Sequence, residues 1–124
     1  RRLDGHTAPV WCMLCVGDAL LSGSADCTIR AWDALTGACT AVVAGHSGWI
    51  LGMAVSSDCS SLSAACSDGS VYMRDTGTWE LIREEARHQN WATCVCYVRG
   101  DTHVASGGHD MDLVVGSADG ASSD

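Results

Sequence analysis

Ser22, His6 and Asp26 are the three residue types of a hydrolytic triad, in which a hydroxyl attacks, an imidazole takes its proton and a carboxylate orients the imidazole. Cys12-x-x-Cys15 has the spacing of a thiolate metal or redox pair. Both readings meet objections in the chain itself. An exposed nucleophile is expected on a Gly-x-Ser-x-Gly elbow, and Ser22-Gly23-Ser24 reads as the approach to a turn. No Gly-x-x-x-x-Gly-Lys run is present to cradle phosphate. On a strand, residues three apart point to opposite faces, so Cys12 and Cys15 cannot share a metal. Cys94 and Cys96 share a face but lack a second pair at ligand spacing. The sequence predicts no catalytic site, no metal and no cofactor.

The same residue types recur. Gly5-His6 returns as Gly45-His46 and, weakened, as Arg87-His88, with the histidines 40 and 42 residues apart. Asp26, Asp68 and Asp110 are spaced by 42 residues. A period near 40 marks stacked copies of one supersecondary unit, whereas an active site is normally a single break in such symmetry. The first copy shows what the unit contains. Pro9 to Val16 is apolar, as a strand buried on both faces would be. Gly17-Asp18 turns into Ala19 to Ser22, and Ser24 to Cys27 turns into Thr28 to Asp33, where Ile29 and Ala31 alternate with Thr28 and Arg30. Cys39 to Val43 follows the Thr36-Gly37 break as a fourth short strand. No segment carries an apolar period of 3.6, so the fold class is all-β, built from four-stranded antiparallel meanders.

His6, Ser22-Gly23-Ser24, Asp26 and Trp32-Asp33 resemble the Gly-His and Trp-Asp signature of WD40 β-propeller blades. The resemblance is closest over residues 5–46 and weakens toward the C-terminus. Ala64 and Arg74 stand where the family has Ser and Trp in the second copy, and Gly116 stands at the Trp position of the third. It implies a partial propeller: residues 1–4 ending a preceding outer strand, blades at 5–44 and 45–86, an incomplete blade at 87–116, and a flexible tail at 117–124. It also implies that Trp32, Ser22, His6 and Asp26 form a structural hydrogen-bond tetrad, for which shielded polar groups need partners. His46 and Asp68, then His88, Ser106 and Asp110, are its remnants in the later copies, which are expected to be more loosely held.

In that family, contact residues lie three and five positions after the blade His and just before the turn Asp. Carried over, these are Pro9, Trp11 and Ala25; Trp49, Leu51 and Ser67; and Trp91, Thr93 and His109. Three of the five Trp residues fall there. Aromatics gathered at one opening are the usual make-up of a binding hot spot; plugging of gaps between blades is the competing reading. Trp79 is expected to begin the fourth strand of the second copy and cover its own sheet. Glu80, Arg83, Glu84, Glu85 and Arg87 read as a solvated, charged edge that blocks strand addition.

The net charge is −8, with seven Arg and no Lys. Nucleic-acid binding needs a basic stripe, and none exists; an anionic membrane surface is disfavoured on the same ground. The longest apolar run, Ala8 to Val16, is too short to span a bilayer. Cys12, Cys15, Cys94 and Cys96 sit in apolar strands, where Cys behaves as a small buried hydrophobe. Free structural thiols place the chain in the cytoplasm, with nuclear or ciliary sites also open. Propellers have about four to eight blades, so three explanations of the short count compete: a piece of a longer propeller, a head-to-tail homo-oligomer, or a partner donating blades. The expected function is a scaffold presenting a Trp-rich rim to a protein or peptide. The alternatives are blades that only complete a ring in a larger complex, and a substrate receptor of a ubiquitin ligase.

Overall fold

The computed structural model describes residues 2–118. Of the expected tail at 117–124, Ser117 instead ends the last strand and is buried, and the part beyond Ala118 lies outside the described residues. Eleven strands follow one another: β1 (Val10–Val16), β2 (Ala19–Ser24), β3 (Ile29–Asp33), β4 (Cys39–Val43), β5 (Ile50–Val55), β6 (Ser61–Cys66), β7 (Ser70–Asp75), β8 (Leu81–Ala86), β9 (Ala92–Val98), β10 (His103–Gly108) and β11 (Leu113–Ser117). Among the described residues there is no helix. The strands form three antiparallel sheets, ordered β1-β2-β3-β4, β5-β6-β7-β8 and β9-β10-β11.

Local chemistry sets the corners. Between β3 and β4, Asp33 Oδ1 accepts the amides of Leu35 and Thr36. Asp75 does the same for Gly77 and Thr78 between β7 and β8. Each is an Asp side chain closing its own turn. The turn after the second strand of each sheet puts one residue in the left-handed region: Cys27 (φ 71), Gly69 (φ 89) and Met111 (φ 70). Only at position 69 does the surrounding packing also demand glycine, because a Cβ there would lie 2.1 Å from the His88 carbonyl oxygen.

The sheets stack face to face, and the apolar core lies between them. Leu21, Ile29, Ala31 and Val43 of the first sheet pack with Ile50, Leu62, Ala64, Cys66 and Tyr72 of the second. Val71 and Met73 of the second pack with Val104, Val95 and Tyr97 of the third. The innermost strands approach closely: a Cβ on Gly52 would sit 2.9 Å from the Thr93 carbonyl oxygen.

Four expectations need correction. β1 is covered by a sheet on one face only; Met13 is 72% exposed, because on the outer side of the first sheet the described residues supply only the entry loop, which covers Ser22 and Trp32. Cys15 on that side, and Cys94 and Cys96 on the third sheet, are likewise exposed, whereas Cys12 faces the second sheet and is half-buried against the shared core. Trp79 precedes β8 instead of beginning it, adopts a left-handed backbone (φ 62), and packs against the core shared by the first two sheets. Arg87 does not belong to a solvated edge, since its side chain is 1% exposed.

Candidate functional site

Each sheet is entered through a loop bearing a histidine, and the three histidines are held in three different ways. In the first sheet His6 Nδ1 bonds Asp26 Oδ2 at 2.8 Å, His6 Nε2 bonds Ser22 Oγ at 2.6 Å, and Trp32 Nε1–H donates to the same Ser22 oxygen at 2.8 Å. Burial alone would raise the Asp26 carboxyl, but hydrogen bonds from Thr28, His6 and the Thr7 amide prevail and hold it far below the usual carboxylate range. The structure thus brings His6, Ser22, Asp26 and Trp32 into one chain. Ser22 Oγ is engaged from both sides, by an indole and an imidazole, which is the arrangement of a brace between strands.

The second sheet is rewired. His46 Nδ1–H donates to the Cys27 carbonyl of the first sheet at 3.1 Å, and Arg74 Nε–H donates to His46 Nε2 at 3.3 Å. Burial, reinforced by the Arg74 charge, lowers the His46 pKa. Asp68 instead accepts the Tyr72 hydroxyl at 2.8 Å and the Ser70 amide at 2.8 Å. Burial and the Asp68 bond push the Tyr72 phenol up to about 12. Arg74 also donates to the carbonyls of Ala44 and Trp79.

The third sheet departs from the expected loose hold. His88 Nδ1 bonds Asp110 at 3.0 Å and His88 Nε2 bonds Ser106 Oγ at 2.9 Å. Where the first sheet uses Trp32, Arg87 Nη1 donates to Ser106 Oγ at 3.2 Å and to the Val104 carbonyl at 2.7 Å, while its Nε bonds Glu85. Burial would raise the Asp110 carboxyl, but hydrogen bonds from the Asp112 amide, His88 and the Gln89 amide lower it. The exchange is steric as well as polar. A Cβ on Gly5 would lie 3.0 Å from Trp32, one on Gly45 3.4 Å from Arg74, and one on Gly116 2.8 Å from Arg87. Every sheet therefore pairs one glycine with one large donor, and in the third the two have changed places. Arg87, Arg74 and Tyr72 were not among the expected site residues; the sequence marks were the Arg in place of Gly before His88 and the Gly in place of Trp at 116.

The expected contact residues gather on the side of the sheets where these loops enter. In each sheet the carbonyl three residues after the His accepts the amide just before the turn Asp: Ala25 to Pro9 at 2.9 Å, Ser67 to Trp49 at 2.9 Å, and His109 to Trp91 at 2.8 Å. The positions five after the His fall where pairing of the innermost strand slips by one residue, between Val10 and Cys12, between Ile50 and Gly52, and opposite Gly107 and Gly108. Such bulges re-aim a side chain. At the first, Trp11 is turned onto Trp49; at the others, Leu51 and Thr93 remain half-buried. Trp11 and Trp49 stack with centroids 5.6 Å apart, Trp49 and Trp91 meet at 5.6 Å, and Trp91 meets His109 at 5.1 Å. Four rings from three sheets form one unbroken ladder. Its indoles are 49%, 38% and 39% exposed, against 3% for Trp32. Pro9 is exposed beside it. No group of three or more metal-ligating side chains occurs among the described residues.

Stacked antiparallel meanders of four, four and three strands, each tied by a His-bearing entry loop, define the class: these are blades of a β-propeller. The family model described as WD domain, G-beta repeat matches residues 1–33 and 37–75, and the chain belongs to the WD40 family. It is 34% identical over 114 residues to the U5 small nuclear ribonucleoprotein 40 kDa protein of Dictyostelium discoideum, covering 88% of this chain and 32% of that protein. It is 46% identical over 50 residues to the WD repeat-containing protein pop1 of Schizosaccharomyces pombe, covering 40% of this chain and 6% of the relative. The solved structure of U3-55K has the same fold at a TM-score of 0.89 and 24% identity, over 94% of this chain and 38% of that one. The chain thus spans about a third or less of these two sequence relatives.

Proposed function

We propose that the chain is a protein-interaction platform whose ladder of Trp11, Trp49, Trp91 and His109, with Pro9, Leu51 and Thr93 around it, anchors a protein or peptide partner. The observation that carries this reading is the continuity and exposure of the four rings. Apolar rings with polar tips, held rigidly in a row and left wet, match the composition of interface hot spots. The bonds joining Pro9 to Ala25, Trp49 to Ser67 and Trp91 to His109 fix the rim backbone, so binding orders little that is not already ordered. His6, Ser22, Asp26 and Trp32, with His46, Asp68, His88, Ser106 and Asp110, serve as braces behind this surface. The eight free thiols suit a reducing compartment, the cytoplasm or nucleus.

The test is selection of a displayed peptide library on the immobilised chain, followed by transfer of the selected peptides to Trp49→Ala and Trp91→Ala. Peptides should lose most of their affinity for both variants while the melting temperatures move by only a few degrees, as about 1 kcal/mol would produce. Undiminished binding to both variants would refute the rim as the anchor. A second reading, blades that complete a ring in an oligomer or larger complex, is favoured by the apolar side chains left open on the two outer sheet faces. Met13 is 72% and Leu113 77% exposed. Under it, Trp49→Ala and Trp91→Ala would leave partner capture intact, and light scattering would show a defined assembly that Met13→Asp dissolves.

A further inference from the structure

The rim is not only aromatic but one-sided in charge. Across the loops that carry it, residues 3–9, 25–28, 44–49, 67–69, 87–91 and 109–112, the carboxylates are Asp4, Asp26, Asp68, Asp110 and Asp112. The guanidinium in those loops is that of Arg87, which is 1% exposed and committed to Val104, Ser106 and Glu85. Arg2 beyond them pairs with Asp4. Asp26 and Asp110 are engaged by the buried histidines, whereas Asp68 and Asp112 are exposed, and Asp68 keeps lone pairs open beyond those taken by the Tyr72 hydroxyl and the Ser70 amide. The carboxylates are also in register with the rings. Ser67 is tied to Trp49 through its amide and its hydroxyl, and Asp68 is the next residue. His109 is tied to Trp91, and Asp110 is the next residue. Each of these two indoles has an acid one residue beyond its backbone partner.

We propose that this rim selects a peptide segment bearing arginine, laid along Trp11, Trp49 and Trp91 with a guanidinium stacked on the indoles and paired to Asp68. The inference rests on the platform reading and names its ligand chemistry. A planar guanidinium stacks on an aromatic face while its edge donates to a carboxylate, two demands that a compact, strongly hydrated ammonium meets less well. Half-exposed rings, and an exposed Asp68 one residue beyond the backbone partner of Trp49, offer both interactions to one side chain. The same field repels phosphates, so a single-stranded nucleic acid, which could also stack on indoles, is selected against.

The probes are three short Gly/Ser peptides that differ only in two positions, occupied by arginine, by its neutral isostere citrulline, or by leucine, together with an oligouridylate. The readout is the indole Nε1–H resonances of the 124-residue chain, with Trp32, bonded to Ser22, reporting that each sample is folded. The arginine peptide should shift Trp11, Trp49 and Trp91 but not Trp32, and bind about tenfold tighter than the citrulline peptide. Raising salt from about 50 to about 500 mM should erase most of that difference, and Asp68→Asn should do so at constant salt. The salt series needs no variant, so a folding defect in Asp68→Asn would not remove the test. Equal affinity for arginine and citrulline, or oligouridylate shifting the rim indoles, would overturn the proposal. If the leucine peptide alone shifts the rim, the platform stands and cation selection falls. If none of the peptides shifts it, the platform reading falls as well.

Discussion

Replacing Arg87 by glycine should destabilise the chain by about 3 kcal/mol. Its guanidinium is 1% exposed and donates to the Val104 carbonyl at 2.7 Å and to Ser106 Oγ at 3.2 Å. Hydrogen bonds from a charged donor contribute about 1.5–3 kcal/mol each. The lower part of that range applies here, because two of the three partners of that side chain keep other bonds. Ser106 keeps His88 and Glu85 keeps Arg83. Gly116→Trp alone should also destabilise, by about 2 kcal/mol, because a Cβ at 116 comes within 2.8 Å of Arg87. Made together, the two changes rebuild the first-sheet arrangement of Gly5 and Trp32, with an indole able to donate to Ser106. The double variant should therefore be more stable than the sum of the single costs by about 1.5 kcal/mol or more. The assay is urea unfolding followed by far-UV circular dichroism across the four proteins. Additivity within about 0.5 kcal/mol, or an Arg87→Gly cost below about 1 kcal/mol, would refute the steric and polar exchange described above.

Two further outcomes are expected. The folded-state pKa of Asp26 is depressed, so its stabilising contribution is complete above about pH 4, the unfolded value, and is lost as pH falls toward the folded value. Asp26→Asn should be less stable at neutral pH and should decline less steeply in acid; parallel acid profiles in a pH series of melting temperatures would refute this. Burial pushes the Cys12 thiol up to about 11 and the Cys66 thiol up to about 12. Iodoacetamide near neutral pH should modify exposed Cys15, Cys39, Cys59, Cys94 and Cys96 well before Cys12 and Cys66, read by peptide mass spectrometry. Equal labelling of Cys66 and Cys39 would be the contrary result.

The strands were legible because each copy punctuates short apolar runs with Gly, Asp and Ser, and the bounds differ from expectation by a residue or two at Pro9, Thr28 and Ser24. The links among His6, Ser22, Asp26 and Trp32 were legible through the family resemblance. What escaped was substitution between strands. Arg87, Arg74 and Gly116 each look like a lost motif residue when the copies are compared position by position. Only the contact across the sheet shows that a large donor lost at 116 was regained at 87. Periodicity reports what recurs along the chain, and this compensation does not recur. The exposed thiols were misread for a related reason. Composition tells that a strand is apolar, but whether a neighbouring sheet covers it is a matter of stacking. The ladder fared in between: its positions could be assigned, whereas the bulge that turns Trp11 onto Trp49 follows from strand pairing.

The contact among the rim indoles also gives the chain two separate sets of optical probes. Trp11, Trp49 and Trp91 sit 5.6 Å from ring to ring, close enough for their excited states to mix and for absorbed energy to pass along the row before emission. Trp32 and Trp79 lie apart from that row, one in a hydrogen-bond chain and the other against the core. The near-ultraviolet dichroism of the coupled trio therefore belongs to one face of the molecule, and a guest that displaced any single ring would change the spectrum of all three.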